Sequence, residues 1–516
     1  MKSAVSFSLP YLRKQLFVSY LHGPAVPAKA YHTCMLKKRL YQCLGAASLA
    51  LAVGACKTPE LVVKNESRNV PASYSTATSA VSLDSANTAR VQWKQFFTDP
   101  NLQTLIGTAL QNNQELNITL QEIEIARNEI RARQGEYLPF VRLGARADVE
   151  KVGKYTLQGA TEEQVNIKEG RRTPDPLTNF QLGAYATWEV DIWHKLRNAK
   201  KAATIRYLAT VEGKNFMVTN LIAEIANSYY ELLAYDNQLV IVEQNIGIQS
   251  NALELVKFQK ESARTTELAV KRFEAQVQHT KALQFKLQQN IVETENRLNY
   301  LAGRYPQPVA RNAQSFNDRL PATIQAGSPA QLLANRPDIR QAEQQLTAAK
   351  IDVQVARANF YPSLGISGGV GLAAFTPGLL ASTPQSLLYA LGADLAGPLF
   401  NRNGIKAFYY NANALQTQAV YRYEKTVLNA YVEVSNQVSS ISNLAQSYEA
   451  KAKEVAALNQ SVEISNSLFR YARADYTEVL FTQRDALESK FDLVETRMQQ
   501  LNASVNVYRA LGGGWK

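Results

Sequence analysis

The sequence predicts a mainly α-helical chain that also contributes to a transmembrane β-barrel, with long coiled-coil helices and four β-strands in each protomer. Three observations favour this fold class. Two helical stretches are far longer than a compact domain needs, four short segments alternate between apolar and polar residues, and the two halves of the chain repeat each other.

The first 55 residues predict export. An apolar run from Leu44 to Ala55 follows the basic cluster Lys37-Lys38-Arg39 and ends before Cys56, which is the layout of a secretory signal peptide. The run has about 12 residues, whereas a membrane-spanning helix needs about 20. Because a cysteine follows the small residues, the pattern resembles a bacterial lipobox, in which that cysteine is lipidated and becomes the mature N-terminus. The alternatives are a signal peptide with an incidental cysteine or a short membrane anchor.

Within residues 1–55 we distinguish an upstream extension from the signal peptide itself. Residues 1–34 carry no recognisable signal, and Met35 would be an ordinary start for the signal peptide, so we interpret residues 1–34 as an over-extended gene start. A genuine N-terminal extension is the alternative. Residues 56–92 are rich in Ser, Thr, Ala and Asn and are expected to form a lipidated linker.

Cysteine usage and charge point away from disulfides and nucleic acids. Cys34 and Cys43 precede the expected cleavage site, so the mature chain keeps only Cys56 and its fold rests on packing. Residues 1–56 hold seven of the 56 basic residues and none of the 44 acidic ones, so their removal lowers the net charge from +12 to +5. The basic character therefore belongs partly to the export signal, which weakens a nucleic-acid interpretation.

Helical patterns fill most of the mature chain. The first helix begins where Asp99 can cap it and Pro100 fits its first turn, and the pattern runs to about Tyr137. Two stretches, residues 197–262 and 404–471, would each reach about 100 Å at 1.5 Å per residue. Shorter helices are predicted over residues 266–301 and 476–511.

The last predicted helix carries a heptad seam. Apolar residues recur every seven positions, at Leu480, Leu487, Val494, Leu501 and Tyr508, and the interleaved positions hold Arg484, Phe491, Met498 and Val505. The helix from Phe273 repeats this pattern more weakly. A narrow seam suits helices that pack lightly in a thin-walled cylinder, and an ordinary antiparallel coiled-coil scaffold is the alternative.

Four segments have period two, with one apolar and one polar face. They are residues 141–149, 180–192, 364–372 and 389–395. Strands of a membrane barrel show this pattern, and so do hairpins of a soluble sheet; the export signal favours the barrel. Four strands cannot close a barrel, since about eight is the observed minimum and lipid tolerates no open edge. A homotrimer with twelve strands is the simplest closure that leaves a water-filled pore.

The two halves of the chain superpose without gaps over their first segments. Asn113 then matches Arg336, and Pro139 matches Pro362. We therefore expect a first structural repeat at residues 93–302 with a β-hairpin at 139–192, an equatorial linker between the repeats at 303–331, and a second repeat at 332–516 with a β-hairpin at 362–398.

Five motifs occur in order along the chain and together resemble the outer-membrane efflux protein family, most closely its NodT-type lipoprotein channels, which are relatives of TolC. The motifs are Trp93 with Phe96-Phe97 and Asp99-Pro100-Asn101-Leu102, Asn335-Arg336-Pro337-Asp338-Ile339, Ala356-Arg357-Ala358-Asn359-Phe360-Tyr361-Pro362, Gly397-Pro398-Leu399-Phe400, and Ala510-Leu511-Gly512-Gly513-Gly514-Trp515.

The resemblance implies a passive, homotrimeric exit channel of a tripartite efflux pump, lipid-anchored in the bacterial outer membrane. Its twelve-stranded barrel would continue into a helical tunnel across the periplasm. The implied partners are outer-membrane lipid, a periplasmic adaptor protein and an inner-membrane pump, commonly of the resistance-nodulation-division class.

The resemblance also places a periplasmic aperture at the turns between long and short helices, opened by the adaptor or pump. Asp475 and Glu478 match the acidic residues that form rings around the pore axis in relatives, and Arg473 matches a partner in the bonds that hold the tip shut. Arg264 and Glu267 in the first turn are weaker candidates. Ordinary surface charge on a helical turn is the alternative for all five.

Enzyme chemistry is not expected. His194 and His279, the two histidines of the presumed mature chain, lack metal-ligand spacing, and the chain has neither a phosphate-loop nor a nucleophile-elbow motif. We expect no metal and no cofactor beyond the lipid covalently attached to Cys56. The alternative functions are a protein-secretion channel of the same fold and a membrane-anchored scaffold without a pore. The cargo, whether drug, metal, dye or polypeptide, is not specified by these patterns.

Overall fold

A computed structural model describes residues 58–74, 88–316, 325–471 and 473–515. The expected signal peptide and Cys56 lie outside these ranges. The described part of the chain is mainly helical and contains antiparallel sheets. None of its helices is both long and apolar enough to cross a membrane.

The helical part begins with three helices where the sequence analysis expects a single pattern as far as Tyr137. They are α1 (Trp93–Phe96), α2 (Pro100–Asn112) and α3 (Gln114–Tyr137). Asp99 caps α2 as predicted, since its carboxylate accepts a hydrogen bond from the backbone N–H of Asn101 at 2.9 Å.

The expectation of an uninterrupted helix is wrong because Asn113 leaves the helical region of backbone space, with a ψ of 125°. Its side-chain oxygen accepts from the N–H of Leu116 at 2.8 Å and so caps α3. Its side-chain nitrogen donates to the carbonyl of Leu301 at 2.9 Å. A partner 188 residues away thus fixes a break that a local helical pattern cannot reveal.

The predicted strands form one four-stranded antiparallel sheet. Its strands, in spatial order, are β1 (Phe140–Glu150), β4 (Leu177–Val190), β5 (Ser363–Ala374) and β6 (Leu387–Ala396). Between β1 and β4 the chain also forms α4 (Leu157–Gln164) and a separate pair of strands, β2 (Asn166–Lys168) and β3 (Arg171–Arg172).

The expected number of four strands therefore has to be corrected to six in the described part of the chain. The extra pair is too short to show an alternating pattern in the sequence. Thr173 supports it by donating from its hydroxyl to the carbonyl of Val165 at 2.7 Å. Thr156 caps α4 by accepting from the N–H of Gly159 at 3.1 Å.

Long helices follow each half of the four-stranded sheet. In chain order the remaining helices are α5 (Lys195–Glu261), α6 (Glu267–Leu301), α7 (Ala330–Asn335), α8 (Pro337–Ala358), α9 (Asn403–Arg470) and α10 (Tyr476–Ala510). The α5, α6, α9 and α10 bounds lie within two residues of the predicted ones. Helix α5 packs on α3, α6, α8 and α10, and α9 packs on α8 and α10.

Corresponding elements of the two halves are separated by one of two fixed offsets in residue number. Helices α3 and α8 begin 223 residues apart, at Gln114 and Pro337, and so do β1 and β5. Helices α6 and α10 are both 35 residues long and begin 209 residues apart. The offset falls from 223 to 209 within the sheet because the β1–β4 connection is longer than the β5–β6 connection.

The heptad seam of α10 faces the protein interior. Leu487, Val494, Leu501 and Tyr508 are buried, whereas Arg484 is exposed. Polar residues are buried beside them, including Gln483, Thr496, Arg497 and Gln500. The apolar seam is thus narrow, and polar side chains are buried on either side of it.

Three motifs that are distant in sequence meet near the end of α10. The ring of Tyr508 stacks on Phe96 with centroids 4.2 Å apart, and its hydroxyl donates to the carbonyl of Val91 at 2.6 Å. Gly512 lies so close to the backbone of Asn335 that a Cβ there would approach its carbonyl oxygen to 2.7 Å. Gly512 also has a φ of +88°, which side chains rarely adopt.

Candidate functional site

The turns that connect the long and short helices are built alike. In the first turn, Thr266 caps α6 by accepting from the N–H of Ala269 at 3.4 Å. In the second turn, Asp475 caps α10 by accepting from the N–H of Thr477 at 3.4 Å. Thr266 and Asp475 are 209 residues apart, so they occupy corresponding positions.

The structure brings the two turns together. Residues of α5, α6, α9 and α10 form one buried apolar cluster, which consists of Val256, Ala269, Val270, Phe273, Phe469 and Val479. The guanidinium of Arg272, on α6, lies 6.0 Å from the centroid of the Tyr476 ring, at the start of α10. The tip, which consists of the two turns (residues 262–266, 471 and 473–475) and the first turns of α6 and α10, is therefore one packed unit.

All five residues proposed for the aperture lie at this tip: Arg264, Glu267, Arg473, Asp475 and Glu478. The backbone N–H of Arg473 donates to the carbonyl of Leu468 at 2.8 Å, which closes the end of α9. The corresponding bond in the first turn runs from Arg264 to Gln259, also at 2.8 Å.

Glu267 is the aperture candidate whose side chain forms ion pairs in the structure. It pairs with Lys260, across the first turn, and with Lys271, one helical turn further along α6, at 3.8 Å. The hydrogen bond from Lys260 lowers the pKa of the Glu267 carboxyl below its usual value. The ion pair between Glu267 and Lys271 can be predicted from the sequence, because residues four apart lie on the same face of a helix. The ion pair between Glu267 and Lys260 cannot, because it depends on the geometry of the turn.

Asp475 and Glu478 occupy the cap and the third position of α10, where carboxylates favour helix formation. The corresponding residues of α6 are Thr266 and Ala269, which are uncharged, and the first turn of α6 holds a single acid, Glu267. Capping alone therefore does not require two acids at the tip.

One face of the four-stranded sheet is apolar except for the hydroxyl groups of Thr178 and Tyr389. The observed pairing aligns the apolar positions of all four strands, so that Leu143 lies opposite Ala184, Ala184 opposite Val370, and Val370 opposite Tyr389. Leu143 is 86% exposed and Leu391, on the same face, is 84% exposed. The opposite face carries Arg142, Arg146, Asp148, Gln181, Glu189, Ser367 and Asp394.

Aromatic side chains mark the end of the sheet that leads into the long helices. Trp193 stacks on Tyr361 with centroids 4.7 Å apart and donates from its indole N–H to the carbonyl of Pro362 at 2.7 Å. The indole of Trp188 donates to the carbonyl of Tyr137 at 3.1 Å. Such amphipathic rings are typical of the boundary between membrane and water. The stacked pair leaves no signal in the sequence, because it joins residues from the two halves of the chain.

The described segment before the helices is held along α8 and α9. Lys64 pairs with Glu424 at 2.9 Å, and Lys350 pairs with Glu66 at 2.7 Å. The ring of Tyr74 is buried and stacks on Tyr431 with centroids 5.5 Å apart. We call residues 59–74 the N-terminal strap. The expected lipidation site, Cys56, precedes it and lies outside the described residues.

Within the described ranges, no three potential metal ligands lie close enough together to hold an ion.

Comparison with known proteins identifies a family and a fold. Residues 105–304 and 328–513 match the family model described as outer membrane efflux protein. The chain is 28% identical to the pyoverdine export outer membrane protein OpmQ of Pseudomonas putida, over 91% of this chain and 96% of that protein. It is 27% identical to the cation efflux system protein CusC of Escherichia coli, over 91% and 98%.

A solved structure, the open state of the MtrE outer membrane channel of Neisseria gonorrhoeae, resembles this chain with a TM-score of 0.77. The sequences are 22% identical, and the superposition covers 89% of this chain and 98% of that one. This likeness shows that the two chains share a fold.

Proposed function

The chain belongs to the outer membrane efflux protein family, and we propose that three copies of it form the exit channel of a tripartite efflux pump. The single observation that carries this proposal is the four-stranded sheet. Its apolar face is exposed, its opposite face is polar, and among the described residues no strand pairs with the outer edges of β1 and β6.

Such a sheet cannot remain open in a bilayer, because each unsatisfied backbone N–H or C=O costs several kcal/mol in lipid. Three copies supply twelve strands, which close a barrel wide enough for water. The apolar face then contacts lipid, and the polar face lines the pore. The long helices α5 and α9 continue from this barrel into the periplasm as a tunnel.

The proposed N-terminus agrees with this arrangement. Lipidated at Cys56, the chain would enter the N-terminal strap, whose Leu61 packs on the apolar cluster containing Phe360 and Tyr409. That cluster adjoins the start of β5, so the strap begins beside the end of the sheet. The lipid and the sheet would thus reach the same membrane.

The tip formed by the two turns is the proposed aperture. Three-fold symmetry would bring three copies of Asp475 and Glu478 around one axis, which raises the local negative potential and favours cations. Arg473 would help to hold the tip closed until a periplasmic adaptor and an inner-membrane pump open it. Arg264 and Glu267 would contribute from the first turn.

Cargo selection belongs, on this proposal, to the pump. OpmQ is named for pyoverdine export and CusC for cation efflux, yet the chain resembles the two almost equally, at 28% and 27% identity. A channel that passes whatever its pump delivers needs no binding site of its own.

The test is assembly followed by conductance. The full chain, purified in mild detergent, is expected to have the mass of three protomers by light scattering with detergent correction, and to form discrete channels in planar bilayers. A membrane-inserted monomer would contradict the trimer. A trimer that conducts no ions under any applied voltage would favour the scaffold alternative.

A further inference from the structure

The two free edges of the four-stranded sheet have complementary charges once their pairing is specified. Resting on the proposed trimer, we propose that β6 of one copy pairs with β1 of the next in a register set by the internal repeat, which places Asp394 opposite Arg146 of the neighbouring copy.

The register follows from correspondences within the chain. Phe140 pairs with Thr187 at the start of β1, and Ser363 pairs with Ala396 at the start of β5. Strand β5 thus corresponds to β1 with an offset of 223, and β6 corresponds to β4 with an offset of 209. The observed junction of β4 with β5 joins the first half to the second, and its counterpart joins β6 to β1 of the next copy.

Translating the observed junction gives the new one. Tyr185 lies opposite Gly369 in the β4–β5 pair. Adding 209 to the first number and subtracting 223 from the second gives Asp394 opposite Arg146. Every pair in this register has residue numbers that total 540. Seven pairs fall within both strands, from Ala390 with Glu150 to Ala396 with Gly144.

The chemistry of the paired residues supports the register independently. It places Leu391 beside Val149 and Leu395 beside Ala145 on the apolar face. A shift by one residue would turn apolar side chains of one strand toward the polar face of the other. A shift by two residues would set Asp394 against either Asp148, a like charge, or Gly144, which has no side chain. Opposite charges directly across a pair stabilise it, and like charges destabilise it.

Both partners are available for this contact. The side chain of Arg146 is 72% exposed and donates to Asp148, two residues along its own strand, at 2.6 Å. A guanidinium has five N–H donors, so Arg146 can keep Asp148 while binding a second carboxylate. Asp394 is exposed on the free outer strand of the sheet. Each of the three seams would then carry one arginine between two aspartates.

Disulfide trapping tests the register. Residues directly opposite each other have Cα atoms about 4.5–5.5 Å apart, within the range of a disulfide, whereas diagonal neighbours are about 7–8 Å apart. In a chain carrying Cys34→Ala and Cys43→Ala, the pair Arg146→Cys with Asp394→Cys is expected to give covalently linked trimers under mild oxidation. The matched pairs Asp148→Cys with Asp394→Cys and Gly144→Cys with Asp394→Cys are expected to remain largely monomeric on a denaturing gel.

The outcomes separate this inference from the trimer itself. If light scattering shows trimers but a control pair crosslinks instead, or none does, the register is wrong and the proposed function stands. If no trimer forms before oxidation, the proposed assembly fails.

A charge exchange tests the ion pair. Arg146→Glu and Asp394→Arg, each alone, are expected to reduce the trimer fraction several-fold on dilution in low salt, and the double variant is expected to restore it. As a control, Arg142→Glu with Asp394→Arg is expected to restore nothing, since residue 142 faces Pro398 in this register. A double exchange no more trimeric than either single variant overturns the pairing of these two residues.

Discussion

The guanidinium of Arg336 donates a hydrogen bond to the backbone carbonyl of Ala510, 2.6 Å away, across 174 residues of sequence. That carbonyl belongs to the last turn of α10, where the helix supplies no partner for it. The same guanidinium binds Asp338 at 2.8 Å and Glu433 at 2.9 Å. One side chain, only 5% exposed, therefore joins the start of α8, the middle of α9 and the end of α10.

Replacing Arg336 is expected to destabilise the protein strongly. Burial alone lowers the pKa of Arg336, but the bonds to Asp338 and Glu433 raise it above its usual value, so the group is charged at every physiological pH. Arg336→Ala takes the cation away from Asp338, leaves Glu433 with Arg509 alone of its two arginines, and removes the side-chain donor of the Ala510 carbonyl. Breaking a buried ion pair in this way costs about 3–5 kcal/mol. The stability of Arg336→Lys is expected to lie between those of the wild type and Arg336→Ala, because an ammonium keeps the charge but cannot reproduce the planar hydrogen-bonding geometry of a guanidinium. Thermal unfolding followed by tryptophan fluorescence measures both.

Arg297→Ala is the matched control for Arg336. Its side chain is 44% exposed and pairs with Glu231, and exposed pairs contribute about 1 kcal/mol or less. If both alanine variants lowered the melting temperature equally, the network around Arg336 would have no special role in the fold.

The motifs around Arg336 can be identified in the sequence, but the contacts between them cannot. Helix bounds were predictable because caps and the helical period are local; Asp99 and Thr266 act within three residues of themselves. Strand identity was predictable from period two. The bond from Arg336 to Ala510 and the one from Asn113 to Leu301 leave no periodic signal, because they join residues 174 and 188 positions apart.

The tip shows the same division between local and distant contacts. The acidic candidates Asp475 and Glu478 come from the family resemblance of the motif around them. The capping bond of Asp475 is a local contact, since it reaches only to Thr477. The packing of Arg272 on Tyr476 joins α6 to the start of α10, and it depends on how these two helices lie together. The β2–β3 pair was missed because strands of three and two residues are too short for any pattern.

Acid is expected to loosen the N-terminal strap. The hydrogen bond from Lys350 holds the pKa of Glu66 below its usual 4.5, and the bond from Lys64 does the same for Glu424. A carboxyl whose pKa is lower in the folded state stabilises that state fully above its unfolded pKa, and the stabilisation is lost as the pH falls through the folded value. Hydrogen exchange of residues 59–74, corrected for intrinsic rates, should therefore change little above pH 4.5 and increase below it.

The variant carrying Glu66→Gln and Glu424→Gln is the control for the acid effect. Its strap is expected to exchange faster already at neutral pH and to respond little to acid. An equal acid response in this variant and the parent chain would assign the loosening to other groups.

Cys56 is expected to carry the lipid. Metabolic labelling with a palmitate analogue should mark the wild-type chain and fail to mark Cys56→Ser, because the thiol is the acceptor. Cys43→Ser, which removes a cysteine from the signal region just before the apolar run, should be labelled normally. Equal labelling of the wild type and Cys56→Ser would exclude lipidation at this residue.

Neutralising Asp475 and Glu478 at the tip is expected to reduce the preference for cations without unfolding the turn. Asn caps helices about as well as Asp, so Asp475→Asn together with Glu478→Gln removes charge while keeping the start of α10. Single-channel recordings in planar bilayers should then show reduced selectivity for cations and weaker block by divalent cations added at the periplasmic mouth. Glu488→Gln is the control, since this exposed residue lies about 15 Å further along α10 and should leave selectivity unchanged.

Arg473→Ala should raise conductance if Arg473 holds the tip closed, although the apolar cluster around Phe273 would keep part of the closure. A correctly inserted trimer of the Asp475→Asn, Glu478→Gln variant with wild-type selectivity would contradict the aperture assignment, because charges that line a constriction cannot be removed without changing the field that ions cross.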